Sequence, residues 1–129
     1  MTKNEFVKIL GIVLKERGYR KRGSYWYLPK ADLLFCVNVQ GSQWDENDYY
    51  VNIGIAKQSA DCPYPTQLKW QWNHRCQGGV DNLDVGEKNM ELNEVICCMD
   101  DLFHDFLLSG PELFYEKHKA QFIVGQYWL

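Results

Sequence analysis

Two stretches of strict alternation constrain this chain more than any other feature. From Phe35, the segment Leu33–Gln40 sets Phe35, Val37 and Val39 against Cys36, Asn38 and Gln40. Tyr49–Ala56 sets Val51, Ile53 and Ile55 against Tyr50, Asn52 and Gly54. Side chains alternate across a pleated strand, so each segment has one apolar face and one polar face. Slipping the pairing by one residue would turn an apolar set to the wrong side, which makes register predictable. The apolar sets coincide when Val39 opposes Val51, Val37 opposes Ile53 and Phe35 opposes Ile55. Asn38 then opposes Asn52, and Gln40 opposes Tyr50. The polar residues 41–48 between the segments read as a hairpin loop.

A third strand, Ser24–Leu28, precedes these two and is closed by a four-residue turn, Pro29–Asp32. Pairing across that turn puts Trp26 with Phe35 on the core side. Tyr25 and Tyr27 then join Cys36, Asn38, Gln40, Tyr50 and Asn52 on the second face. That face, rich in tyrosine and amide groups, is the main functional lead.

The flanks read as covers. Thr2-Lys3-Asn4-Glu5 matches a capping box. Phe6, Ile9, Leu10, Val13 and Leu14 follow at helical spacing, and Gly18 marks a stop, so a helix is expected over about 3–17. Lys15, Arg17, Arg20, Lys21 and Arg22 fall at that helix end and the following turn, where cations complement the helix dipole. Pro63 and Pro65 exclude residues 59–66 from a central strand. Leu68, Trp70, Trp72, His74 and Cys76 alternate with polar residues and read as a fourth strand. Residues 77–88 read as a long loop that is mobile or carries function. A helix is expected over 89–108 and a short one over 111–119, with Ser109-Gly110-Pro111-Glu112 as the break. Phe122–Val124 reads as a small edge strand or a docked tail. The predicted order is α-β-β-β-β-α-α: one α+β domain over residues 1–129, with an antiparallel meander sheet of about four strands. Helices one and two pack on the Val/Ile face in this reading.

Composition narrows the function classes. The 129 residues carry a formal charge of −3, which argues against a nucleic-acid protein. No apolar run approaches the ~20 residues needed to cross a membrane. Phe6–Leu14 is interrupted by Lys8 and followed by no cleavage site, so no export signal is expected. Five cysteines without such a signal indicate free thiols and a cytoplasmic setting. Five Trp, eight Tyr and six Phe suit an aromatic core, and equally a recognition surface.

The helix followed by Gly18-Tyr19-Arg20-Lys21-Arg22-Gly23-Ser24-Tyr25-Trp26-Tyr27, then Val37-Asn38-Val39-Gln40 and Tyr50-Val51-Asn52-Ile53-Gly54-Ile55, resembles a bacterial family. It is the domain-of-unknown-function family numbered forty-three hundred and four. The resemblance covers about Phe6–Ile55 and implies a small α+β domain with no established activity, so no catalytic residue follows from it.

Motifs for chemistry are absent. Cys62, His74, Cys76, Cys97 and Cys98 lack zinc spacing, and mid-helix cysteines are commonly small buried apolar residues, so neither a metal nor a cofactor is expected. His74 reads as a structural histidine on the core face, and no serine or cysteine sits in a nucleophile motif. Gly78-Gly79 lacks a phosphate-binding signature. Two functional readings remain. One is a non-enzymatic interaction module, resembling immunity proteins in size and charge. It would bind a basic partner through Tyr25, Tyr27, Asn38, Gln40, Tyr50 and Asn52 and through Trp44, Asp45, Glu46 and Asp48 of the hairpin loop. The other is a small-molecule or carbohydrate binder, or a weak hydrolase, on the same sheet face. Against both stand Trp44 folded back on the sheet, and a tyrosine-amide face covered by residues 62–66 or 122–129.

Overall fold

The computed structural model describes residues 2–41, 49–76 and 91–119. The helix α1 (Lys3–Glu16) leads into strands β1 (Arg20–Arg22), β2 (Tyr25–Lys30), β3 (Leu33–Gly41), β4 (Tyr49–Lys57) and β5 (Trp72–Cys76). A single 3-10 turn (Gln67–Lys69) precedes β5, and a long helix, α2 (Leu92–Lys117), closes the described chain. The strands form one antiparallel meander in chain order.

The capping box at α1 is formed: the Glu5 amide donates to Thr2 Oγ1 and the Thr2 amide to Glu5 Oε2, both at 3.2 Å. At the other end the amides of Gly18 and Tyr19 bond the carbonyls of Lys15 and Leu14, a Schellman closure. Phe6, Leu10 and Leu14 are the buried stripe, whereas Ile9, expected among them, lies at the helix edge and is exposed.

The β3–β4 register is the expected one at all five pairs, Phe35↔Ile55 through Gln40↔Tyr50. The β2–β3 register differs. Trp26 pairs with Val37 and Leu28 with Phe35, because Pro29 and Lys30 belong to β2 and the turn is only Ala31-Asp32. Pro29 is tolerated there because β1 ends opposite Tyr27, leaving that part of β2 at the sheet edge. The shift is by two residues, so every side chain keeps its face, and Trp26 still packs in the core with Phe35.

Three further expectations are corrected. Arg20–Arg22, read as a turn, is a fifth strand. It hairpins onto β2 through Gly23-Ser24 with Gly23 at φ +61°, and three exposed cations suit an edge. The strand expected over 68–76 begins only at Trp72, because the 3-10 turn takes Leu68 out to solvent. The two expected C-terminal helices form one long element. The break expected at residues 109–112 is present in it as a kink: Gly110 is non-helical (φ +81°, ψ +164°), directly before Pro111. The segment 122–124 and the loop 77–88 lie outside the described residues.

Both helices cover the same side of the sheet. Phe6, Leu10 and Leu14 from α1 and Val95, Met99, Phe103, Phe106 and Phe114 from α2 pack on Val37, Val39, Val51, Ile53, Ile55 and Trp72. Phe35 stacks on Phe103 at 4.2 Å. An Arg17–Asp100 ion pair links the end of α1 to α2. On the opposite side a smaller apolar cluster joins Tyr27, Leu34, Cys36, Ala56 and Trp70.

Candidate functional site

The second face of the sheet carries a continuous polar network, built from the polar phase of each strand. Asn52, fully buried on β4, is its hub. Its Nδ2 donates to Asn38 Oδ1 (3.2 Å) and Gln40 Oε1 (3.1 Å) on β3, and more weakly to Gln67 Oε1 (3.5 Å). Its Oδ1 accepts from Arg75 Nε on β5 (3.2 Å). Asn38 Nδ2 continues the network to the Ser24 carbonyl, and Gln67 Nε2 to Asn73 Oδ1. Arg75, paired with Asn52 across β4–β5, also donates to Gln40 Oε1 (3.1 Å) and lies 4.5 Å above the Tyr50 ring.

Part of this face is covered from outside, by residues 64–70. Tyr27 donates its hydroxyl to the Pro65 carbonyl (2.9 Å), which also accepts from Trp70 Nε1 (2.9 Å). The Gln67 amide donates to the Tyr25 hydroxyl (3.2 Å). Tyr64 packs at 5.6 Å from Tyr27 and carries Arg22 on its ring. Trp70 reaches the sheet where β4 has no side chain: a Cβ on Gly54 would stand 2.2 Å from the Trp70 ring and 2.6 Å from the Trp72 carbonyl. Burial pushes the Tyr27 hydroxyl pKa up.

The expected sheet-face residues are therefore brought together but not equally accessible. Tyr27, Asn38 and Asn52 are buried, Tyr25 and Tyr50 half-buried, and Gln40 exposed. Among the described residues, the least covered part is Gln40 and Arg75 with the half-buried Tyr50 between them, near the Gly41↔Tyr49 end of the β3–β4 ladder. Trp44, Asp45, Glu46 and Asp48 belong to residues 42–48, outside the described residues. Arg75 and Gln67 are members that sequence reasoning missed. Arg75 sits on the polar phase of β5, and pairing β5 with β4 would have placed it opposite Asn52.

A second constellation lies on the helix side. β5 presents His74 and Cys76 on the face of Trp72, and α2 brings Cys98 beside them. The Cys76 thiol donates to Cys98 Sγ at 3.1 Å, and one ligand atom from each of the three residues lies within 4.8 Å of the others. The contact with Cys76, reinforced by His74, lowers the Cys98 thiol pKa, while the same contact and burial raise that of Cys76. Neither helix cysteine is a buried apolar filler: Cys97 is exposed and Cys98 half-buried. All five cysteines are free thiols. Two clefts, of about 530 and 590 Å³, lie along the helices; Arg17, Tyr19, Asp100 and His104 line one, and Lys8, Ile12, Lys15 and Trp26 the other.

These features define a class: a small α+β domain whose meander sheet is covered by helices on one face and carries a hydrogen-bonded amide platform on the other. Within that class the chain belongs to the family described as domain of unknown function DUF4304, whose profile matches residues 10–105. The match runs past the Phe6–Ile55 pattern, through β5 and into α2. Neither the comparison with curated proteins nor that with solved structures finds a match. Among the described residues, no helix is long and apolar enough to cross a membrane.

Proposed function

We propose that this domain is a protein-interaction module, and that Gln40, Tyr50 and Arg75 together with the hairpin residues Trp44, Asp45, Glu46 and Asp48 form its contact surface. The observation that carries this reading is the Tyr50–Arg75 stack, held in place by Gln40 and Asn52. Tyr and Arg dominate binding hot spots, and side chains already fixed by internal hydrogen bonds lose little entropy when a partner docks. The hairpin acids and the net charge of −3 favour a basic partner by steering its approach. Immunity proteins resemble the domain in size and charge, and a small basic toxin is the partner that analogy suggests. A sugar or small-molecule pocket on this face is less favoured, because Tyr27, Asn38 and Asn52 direct their polar atoms inward.

The test is affinity capture from a lysate of the source organism, at low and high salt, with the wild-type chain and with Trp44→Ala, Tyr50→Ala and Arg75→Ala as bait. The expected result is one basic protein in near-stoichiometric amount, released by salt. Its affinity should fall about tenfold or more with each substitution. Equal capture by all four baits, or no protein captured, overturns the proposal.

A further inference from the structure

We propose that His74, Cys76 and Cys98 bind a zinc ion, tying the last strand of the sheet to the helix that covers it. This cluster lies on the helix side of the sheet, opposite the interaction surface. Two sulfurs and one imidazole nitrogen form a donor set for a borderline-soft d10 cation, whereas calcium and magnesium require oxygen ligands. Three protein ligands leave one tetrahedral position, taken by water.

The geometry needs little adjustment. In a tetrahedral site with bonds of about 2.3 Å, two sulfurs stand roughly 3.8 Å apart. The observed 3.1 Å must therefore widen, while separations of up to 4.8 Å to the imidazole nitrogen must close. Side-chain rotation of Cys98, half-buried on α2, widens the sulfur pair, and small rotations of His74 and Cys76 on β5 close the remaining separations. The backbone is fixed on each side. His74 and Cys76 are held by the β4 ladder through Ile53 and Val51, and Cys98 adjoins the fully packed Met99. The imidazole lies parallel to the buried Trp72 ring at 6.0 Å with a 6° interplanar angle, which limits its rotation on that side. The spacing, His-x-Cys on a strand and a cysteine 22 residues later on a helix, matches no linear zinc motif. Zinc takes both sulfurs as thiolates, so affinity rises with pH.

The test uses the full chain, freshly reduced, titrated with Co²⁺ as an optical probe. One ion per chain is expected, with near-ultraviolet thiolate-to-cobalt charge transfer and visible ligand-field bands that vanish when Zn²⁺ is added. Cys98→Ser, with its fold checked by circular dichroism, should abolish most of the charge transfer and weaken binding by about a hundredfold or more. His74→Gln should weaken binding while retaining charge transfer, and the neighbouring Cys97→Ser should match wild type. No charge transfer in the wild-type chain, or full intensity in Cys98→Ser, overturns the site. So does a reduced protein that takes up no metal and only forms a Cys76–Cys98 disulfide on oxidation.

Discussion

On the side of the sheet that carries Val37, Val51, Ile53 and Ile55, two helices supply the cover. On the other side a loop does the same work with one tryptophan, one buried proline carbonyl and a set of amides. The helical cover is non-directional: apolar stripes are removed from water and many substitutions of similar volume would serve. The loop cover is directional, because Asn38, Asn52, Tyr25 and Tyr27 are satisfied only when particular partners stand at hydrogen-bond distance. A network finished in this way holds its exposed members, Gln40 and Arg75, in one geometry. The difference explains why the rigid polar surface lies on the loop-covered side.

The sharpest comparison is between the two neighbouring tryptophans that face opposite ways. Trp70 and Trp72 are both fully buried, one under the loop and one under α2. If the second face is a core in its own right, Trp70→Ala and Trp72→Ala should each destabilise by about 4 kcal/mol in urea unfolding. Gly54→Ala probes the Trp70 contact from the strand side and should cost about 3 kcal/mol, since the clash involves a backbone carbonyl as well as a ring. A cost for Trp70→Ala below ~1 kcal/mol would show that the loop merely rests on the sheet.

The next effect concerns the hub of the network. Asn52→Ala removes three donated contacts and the acceptor for Arg75 Nε, leaving the Oδ1 of the buried Asn38 without that donor. A loss of about 2 kcal/mol is expected. In a double-mutant cycle with Arg75→Ala, coupling should be at least ~0.5 kcal/mol, because the two residues share one network. Additive losses would mean that Gln40 and Tyr50 hold Arg75 without help from Asn52, and that the platform is less organised than its distances imply.

How much of this was legible before the structure follows the same division. The β3–β4 register could be read because both strands alternate cleanly and a single polar loop joins them. The members of the amide face could be read for the same reason. β1 could not, since Arg20-Lys21-Arg22 has no apolar phase; only Gly23-Ser24, a hairpin turn pair, signalled it. The onset of β5 was misplaced because Leu68 and Trp70 continue the alternation of Trp72, His74 and Cys76 by coincidence. Trp70 belongs to the other face. Arg75 and Gln67 entered the network through long-range pairing, and Cys98 met His74 and Cys76 through helix packing. Neither leaves a trace in local spacing.

The smallest expected effect separates the two covers by pH. Beyond the kink at Gly110, α2 is latched by Asp105, which accepts from Lys117 Nζ (2.9 Å) and Ser109 Oγ (3.0 Å) and lies 3.3 Å from His118 Nε2. These contacts, with Lys117 first, hold the Asp105 carboxyl below its ordinary value of 3.8. A depressed carboxyl contributes stability that is present above its unfolded value and lost as pH falls through the folded one. Acid below about pH 4 should therefore loosen the last turns of α2. The latches on Tyr25, Tyr27 and Trp70 are neutral and should hold in the same range. Because Asp105 is partly exposed, the global cost of Asp105→Asn should stay below ~0.5 kcal/mol. The informative readout is local: amide exchange at residues 112–117, taken relative to the intrinsic rate at each pH, should quicken in acid, or in Asp105→Asn at neutral pH, while Trp70 and Gln67 amides stay protected. Equal quickening at both places would mean that the two covers open together, and that their different construction does not separate them energetically.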